Sequence, residues 1–182
     1  GSEDMFIEVI STSKISFAGG GISAVIASDA NIAEIKKRMS IQIISNDKIN
    51  QLRHARYFKN LDGIKAHMKK QAAILKPKFD AVTDGFEKAF DGTGIASWKK
   101  PNGGYFISLF VMNGCAKRVG QLCKEAGLTL TTVGATYPYG IDPDDSNIRI
   151  APSYPDVDEL KKAVELLCIC VKLAAAEKLT EE

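Results

Sequence analysis

The chain has 182 residues, 45% of them hydrophobic and 25% charged, with a formal net charge of +2. That length can bury a real core in one domain, and the near-balanced charge excludes a general attraction to polyanions, so no nucleic-acid partner is expected. No apolar run approaches the ~20 residues of a membrane span, and no signal peptide is visible, so no membrane partner is expected either.

Gly1-Ser2 reads as the remnant of a cleaved tag. Met5–Ile10 follows as an apolar strand. So abrupt an entry into a buried-looking strand predicts a piece of a longer protein, cut on its N-terminal side. The polar turn Ser11-Thr12-Ser13 and then Lys14 come next, followed after Phe17 by Gly19-Gly20-Gly21 and a second strand, Ile22–Ile26. A lysine between two strands has two readings. It is a solvated surface residue, or it is a nucleophilic amine, sheltered and flanked by hydroxyls and N–H groups that suit a phosphate.

Asn31 and Glu34 form a capping box for a helix over about 32–45, with Ile32, Ile35, Met39 and Ile43 on one stripe. Asn46–Asn50 is a loop or a new helix start, and Leu52 to Phe58 continue an apolar pattern. Leu61–Gly63 reads as a break with Asp62 as N-cap. A long helix is expected over about 64–90, kinked or divided at Pro77. His54 and His67 stand among lysines and arginines and read as surface residues. Lys65, Lys69 and Lys70 read as a solvated face.

Ile95–Trp98 and Tyr105–Met112 are expected to form a hairpin around the turn Pro101-Asn102-Gly103-Gly104. The second strand is nearly all apolar and so central. A helix over Cys115–Ala126 with Gly127 as its C-cap, a strand over Leu128–Val133, and a loop over Gly134–Ser146 follow. Asn147–Ala151 is a short strand in which Arg149 stands between two isoleucines. An arginine there lies on an edge facing water, or is aimed at a cleft where its fork can take a carboxylate. Asp156 and Glu159 open a last helix to about Lys178, with Leu160, Val164, Leu167, Val171 and Ala174 inward and Thr180–Glu182 frayed. Cys115, Cys123, Cys168 and Cys170 show no zinc spacing and are expected to be reduced core thiols, as in a cytoplasmic protein. Long helices on a sheet of three or four strands make an α+β two-layer domain.

Several of these blocks resemble fold-type I pyridoxal-phosphate enzymes, the aspartate aminotransferase superfamily. They are Ser11-Thr12-Ser13-Lys14 with Gly19-Gly20-Gly21, then Lys100-Pro101-Asn102-Gly103-Gly104-Tyr105-Phe106, then Ala126-Gly127-Leu128 through Asn147-Ile148-Arg149-Ile150, with the Asp156–Lys178 helix. The resemblance implies that residues 3–28 are the tail of a large cofactor domain and 29–182 the C-terminal small domain. It implies that Lys14 holds pyridoxal 5'-phosphate and moves the proton, and that Ser11, with Ser13 as a second candidate, binds the cofactor phosphate. Arg149 would bind the substrate α-carboxylate. The implied activity is amino transfer between an amino acid and a 2-oxo acid, in a homodimer.

One departure is visible. The family's arginine shortly after the glycine turn is replaced by Ile22 and Ser23, and no arginine occurs before Arg38, which implies altered phosphate binding. The aspartate that keeps the cofactor ring protonated as an electron sink would belong to the absent part, so the chain alone is expected to be inactive. A lyase or decarboxylase on the same fold is the alternative within enzymes; only a transaminase leaves the amine on the cofactor. The alternative outside them is the ligand-sensing domain of a transcription regulator.

Overall fold

A computed structural model describes residues 2–181, Glu181 by its backbone only. Gly1 of the expected tag remnant and Glu182 of the expected frayed end lie outside the described residues. The chain is α+β and forms two compact units, residues 1–73 and 74–182.

The first unit begins with a 3-10 turn, Glu3–Met5, so the first strand starts later than its apolar run suggests: β1 is Glu8–Ser11. It pairs antiparallel with β2, Ser23–Ile26, in the register Glu8↔Ile26 to Ser11↔Ser23. Every residue of both strands is exposed. Helix α1 spans Asp29–Gln42. Its cap is Ser28, whose hydroxyl accepts from the Asn31 N–H at 3.3 Å. Ser28 therefore replaces the expected Asn31 cap, and Glu34 instead pairs with Arg38 at 2.8 Å. Helix α2, Lys48–Phe58, is capped by Asp47.

Helix α3 runs unbroken from Leu61 to Phe90 and belongs to both units. Its first turn is held by Asn60, which accepts the Gly63 N–H at 3.0 Å, rather than by Asp62. Pro77 does not end the helix. It removes the one bond that would reach the Ala73 carbonyl. Ala73 and Pro77 are both exposed, so water can take that carbonyl. The boundary between the compact units falls at this same turn, between Ala73 and Ile74.

The second unit holds a three-stranded antiparallel sheet, β3 (Ala96–Trp98), β4 (Ile107–Val111) and β5 (Asn147–Ile150), with β4 central. Residues opposite each other share a face, and alternate residues switch faces. Ile107, Leu109 and Val111, with Ile148 and Ile150, form the buried face. Onto it pack Val82 and Phe86 of α3, Val119 of α4 (Ala116–Glu125), and Leu160, Val164 and Leu167 of α5 (Val157–Glu181). Trp98 meets Phe86 at a centroid distance of 5.5 Å. A Cβ on Gly85 would meet Val164 Cγ1 at 2.5 Å, so glycine there lets α3 approach α5. All five positions of the α5 stripe are buried, and the Asp156 carboxylate accepts the Glu159 N–H at 2.8 Å. The helix continues through Thr180, whose hydroxyl donates to the Ala176 carbonyl at 3.0 Å, so that residue is not frayed.

Gly127 closes α4 with φ +86°. Its N–H donates to Lys124 O at 3.1 Å and that of Leu128 to Cys123 O at 2.8 Å, a Schellman ending. The segment 128–133 is not a strand. Leu128, Leu130 and Val133 do pack against the core, so the alternation reports burial without a hydrogen-bonded partner strand. The four cysteines are free and buried. Burial pushes the Cys123 thiol up to about 12, with Cys170 beside it adding to the rise. Burial likewise pushes Cys168 up to about 11 and raises Cys115.

Asp142 ties the entry to β5. Its carboxylate accepts the N–H groups of Asp144 (3.1 Å), Ser146 (2.8 Å) and Asn147 (2.8 Å). Burial alone would raise its pKa, but these three donors and the charge of Lys117 more than offset that, and the net shift is downward. A folded pKa below the unfolded one stabilises the native state above the ordinary Asp value, about 4, and that contribution disappears as the pH falls through the folded value. Asp142→Asn is expected to cost about 1.5–3 kcal/mol at neutral pH, the range for hydrogen bonds to a charged group. The difference from wild type in urea unfolding should be flat above about pH 5 and shrink below about pH 4. Phe86→Ala, at a fully buried position, should cost about 3–5 kcal/mol in the same measurement.

Candidate functional site

Lys14 is the central residue of a closed turn. The Ser16 N–H donates to Thr12 O at 2.9 Å, so Thr12–Ser16 forms one five-residue loop. Thr12 also continues the strand pair by one rung. Its N–H donates to Ile22 O at 2.9 Å, and its hydroxyl accepts the Ile22 N–H at 2.9 Å. The lysine thus leaves a short turn at the end of two paired strands, and its side chain is exposed.

Ser11 and Ser13 stand side by side next to it. Their hydroxyls are 2.9 Å apart, and the Ser13 N–H donates back to Ser11 Oγ at 3.2 Å. Two adjacent hydroxyls beside a lysine form a small donor set of the kind that suits a phosphate. The glycines make room for it. A Cβ on Gly21 would meet Ser13 Oγ at 2.5 Å and the Ser13 backbone nitrogen at 2.9 Å, so only glycine fits there. Gly19 has φ +70°, which lets the chain reverse before β2.

The structure brings an arginine to this turn that the linear sequence hides. Arg53 of α2 lies so close to Gly20 that a Cβ there would clash with its guanidinium. It packs over the Phe17 ring at 4.8 Å and donates to Asn50 Oδ1 at 2.6 Å. The Asn50 amide in turn donates to Gly20 O at 2.9 Å and Gly21 O at 3.2 Å. Because 33 or so residues separate Gly20 from Arg53, no local motif announces the pairing.

His54 and His67 are not the surface residues that their basic neighbours suggested. His54 is 5% exposed. Its Nδ1 lies 2.8 Å from Asn50 O and its Nε2 2.9 Å from Ser16 Oγ. His67 is half-buried, with Nε2 3.0 Å from Ser16 O. Beside Ser16 and His54 opens a cavity of about 410 Å³, walled by Ile15, Ile22, Phe58 and Ile64.

Arg149 lies in the other unit, on edge strand β5 opposite Ser108. The register puts it on the sheet face away from the core. Its guanidinium stacks over the Phe106 ring at 4.6 Å. Nε is buried without a hydrogen-bond partner. Asn147, two residues earlier, anchors the strand through Ser108 Oγ at 2.7 Å and Thr136 Oγ1 at 2.7 Å. A flat, always-charged fork held against an aromatic face suits a carboxylate. Among the described residues no group of three or more His, Cys, Asp or Glu could hold a metal, and no helix is long and apolar enough to cross a membrane.

Known proteins share this arrangement of elements. The profile of the family described as aspartate amino-transferase matches residues 1–182. The chain is 45% identical over 177 residues to an aspartate aminotransferase of Corynebacterium glutamicum, covering 97% of this chain and 41% of that protein. A solved aspartate transaminase from Corynebacterium glutamicum superposes with a TM-score of 0.87 at 46% identity, over 92% of this chain and 39% of that one. The multiple substrate aminotransferase of Thermococcus profundus shares the fold, with a TM-score of 0.80 at 20% identity over 94% of this chain and 41% of that one. The chain therefore spans about two-fifths of the length of the relatives it matches. On the match to its whole length, the chain belongs to the aspartate amino-transferase family.

Proposed function

We propose that this chain is the C-terminal part of a pyridoxal 5'-phosphate-dependent aminotransferase that moves an amino group between an amino acid and a 2-oxo acid. The observation that carries this reading is the closed Thr12–Ser16 turn, which presents Lys14 beside the paired hydroxyls of Ser11 and Ser13. Residues 3–28 are then the tail of the cofactor domain, and 29–182 the small domain. The exposure of Val9, Ile10, Val25 and Ile26 supports this division, because an apolar two-stranded ribbon is marginal alone and suits a larger sheet or layer.

Lys14 would hold the cofactor and carry the α-proton on Nζ. Ser11 and Ser13 would take the phosphate. Arg53, beside Gly20, supplies a guanidinium at the glycine turn where the family's usual arginine is replaced by Ile22 and Ser23. When bound, the cofactor supplies an electron sink that makes the substrate Cα–H bond acidic. Arg149 takes the α-carboxylate with two parallel hydrogen bonds, which fixes how that C–H bond is presented. Aspartate is the first amino acid to test, given the relatives' names. A cytoplasmic homodimer is the proposed setting; free buried thiols suit a reducing compartment. The 182-residue chain by itself is proposed to be inactive.

In the parent-length enzyme, Lys14→Ala should abolish the visible absorbance band that develops with pyridoxal phosphate. Transamination should fall by about 10²- to 10⁴-fold or more, the range for losing a positioned base. An unchanged spectrum removes Lys14 from the chemistry. Arg149→Lys should lower kcat/KM for aspartate by about 10- to 100-fold, as one charge-assisted bond of the fork is lost. Equal kcat/KM would assign the carboxylate to another residue.

A further inference from the structure

The turn that carries Lys14 is fastened from behind by a histidine. His54 Nδ1 lies 2.8 Å from the Asn50 carbonyl. A carbonyl only accepts, so Nδ1 carries the proton. Nε2, on the opposite side of the ring, lies 2.9 Å from the Ser16 hydroxyl oxygen. Ser16 is 4% exposed and is the point where three segments meet. Its Oγ lies 3.0 Å from both the carbonyl and the hydroxyl of Thr12. Its carbonyl accepts the Gln71 amide at 3.0 Å and faces His67 Nε2 at 3.0 Å. Phe17 shields the imidazole, edge-on at a centroid distance of 5.0 Å.

Lys14 is two residues from each end of this loop. Thr12 is fastened to Ile22, and Ser16 to His54, so the backbone at Lys14 cannot turn unless one of those contacts opens. We propose that His54 is a positioning residue for Lys14: its Nε2 contact fixes Ser16, and Ser16 fixes where the lysine leaves the turn. The inference rests on the reading of Lys14 as the reactive amine. Its importance follows from scale, since a displacement of about 1 Å at a reacting group costs about 10²-fold in rate.

Two amide side chains separate the contacts that His54 makes. Glutamine reaches as far as Nε2, and its amide can hydrogen-bond the Ser16 hydroxyl oxygen in either direction. Asparagine reaches only as far as Nδ1 and leaves Ser16 without its contact to the helix. Backbone hydrogen exchange of Ile15 and Ser16 is read in the 182-residue chain, and kcat and KM in the parent-length enzyme, for S16A, H54N and H54Q. S16A and H54N should each speed exchange at those two amides by about tenfold. They should also lower kcat by up to about 10²-fold with KM for the amino acid unchanged, while H54Q recovers most of both losses. Unchanged exchange in S16A and H54N overturns the anchor. Faster exchange with kcat within about twofold of wild type, or H54Q no better than H54N, overturns the positioning role. A wild-type parent with no absorbance band at Lys14 sinks the cofactor reading instead, and the exchange measurement then decides the anchor by itself.

Discussion

A strand pair that ends in a turn must find partners for the backbone groups its ladder no longer serves. Thr12 meets this constraint here, and the rest of the first unit follows from it. Its main chain and its hydroxyl both bond Ile22, which brings the far side of the glycine turn against Ser13. That approach demands glycine at 21, since a Cβ would run into the Ser13 backbone. It also leaves Gly20 O and Gly21 O facing outward, where Asn50 takes them. Helix α2 is thereby held at the turn and delivers Arg53 and His54 to its two ends. A single threonine side chain sets the geometry of the lysine, the serine pair and the basic residue near them.

The second unit obeys a simpler rule. Strands alternate, and one face of the sheet must be buried. Once Ile107, Leu109, Ile148 and Ile150 face the helices, Arg149 has to face the other way. Asp142 and Asn147 fix the register by which that happens, each through hydrogen bonds that a one-residue slip would break. Both the buried face and the placement of the guanidinium are therefore set by the same local pairing.

Signals of short range were legible in the sequence. The α5 stripe, the Schellman glycine at 127 and the β3–β4 hairpin are all written in residues within a few turns of chain. Misreadings arose where a distant partner decides the outcome. His54 and His67 sit among charged neighbours, yet their partner is Ser16, 38 and 51 residues away. Arg53 is hidden for the same reason. Ser28 and Asn60 displaced Asn31 and Asp62 as caps because several hydroxyl and amide residues near each start could serve. The alternation at 128–133 described burial correctly, but a ladder needs a second strand, which alternation alone does not supply. At Pro77 one missing bond in a helix of 30 residues was too little to end it.

All four cysteines fall in residues 74–182, and none in residues 1–73. Their reactive form is the thiolate, which burial suppresses at Cys115, Cys123 and Cys168. Native alkylation should therefore be slow. Any label that does attach records an opening of the helix-covered sheet and leaves the lysine-bearing half silent, so the molecule comes with a built-in reporter that distinguishes loosening of one half from loosening of the other.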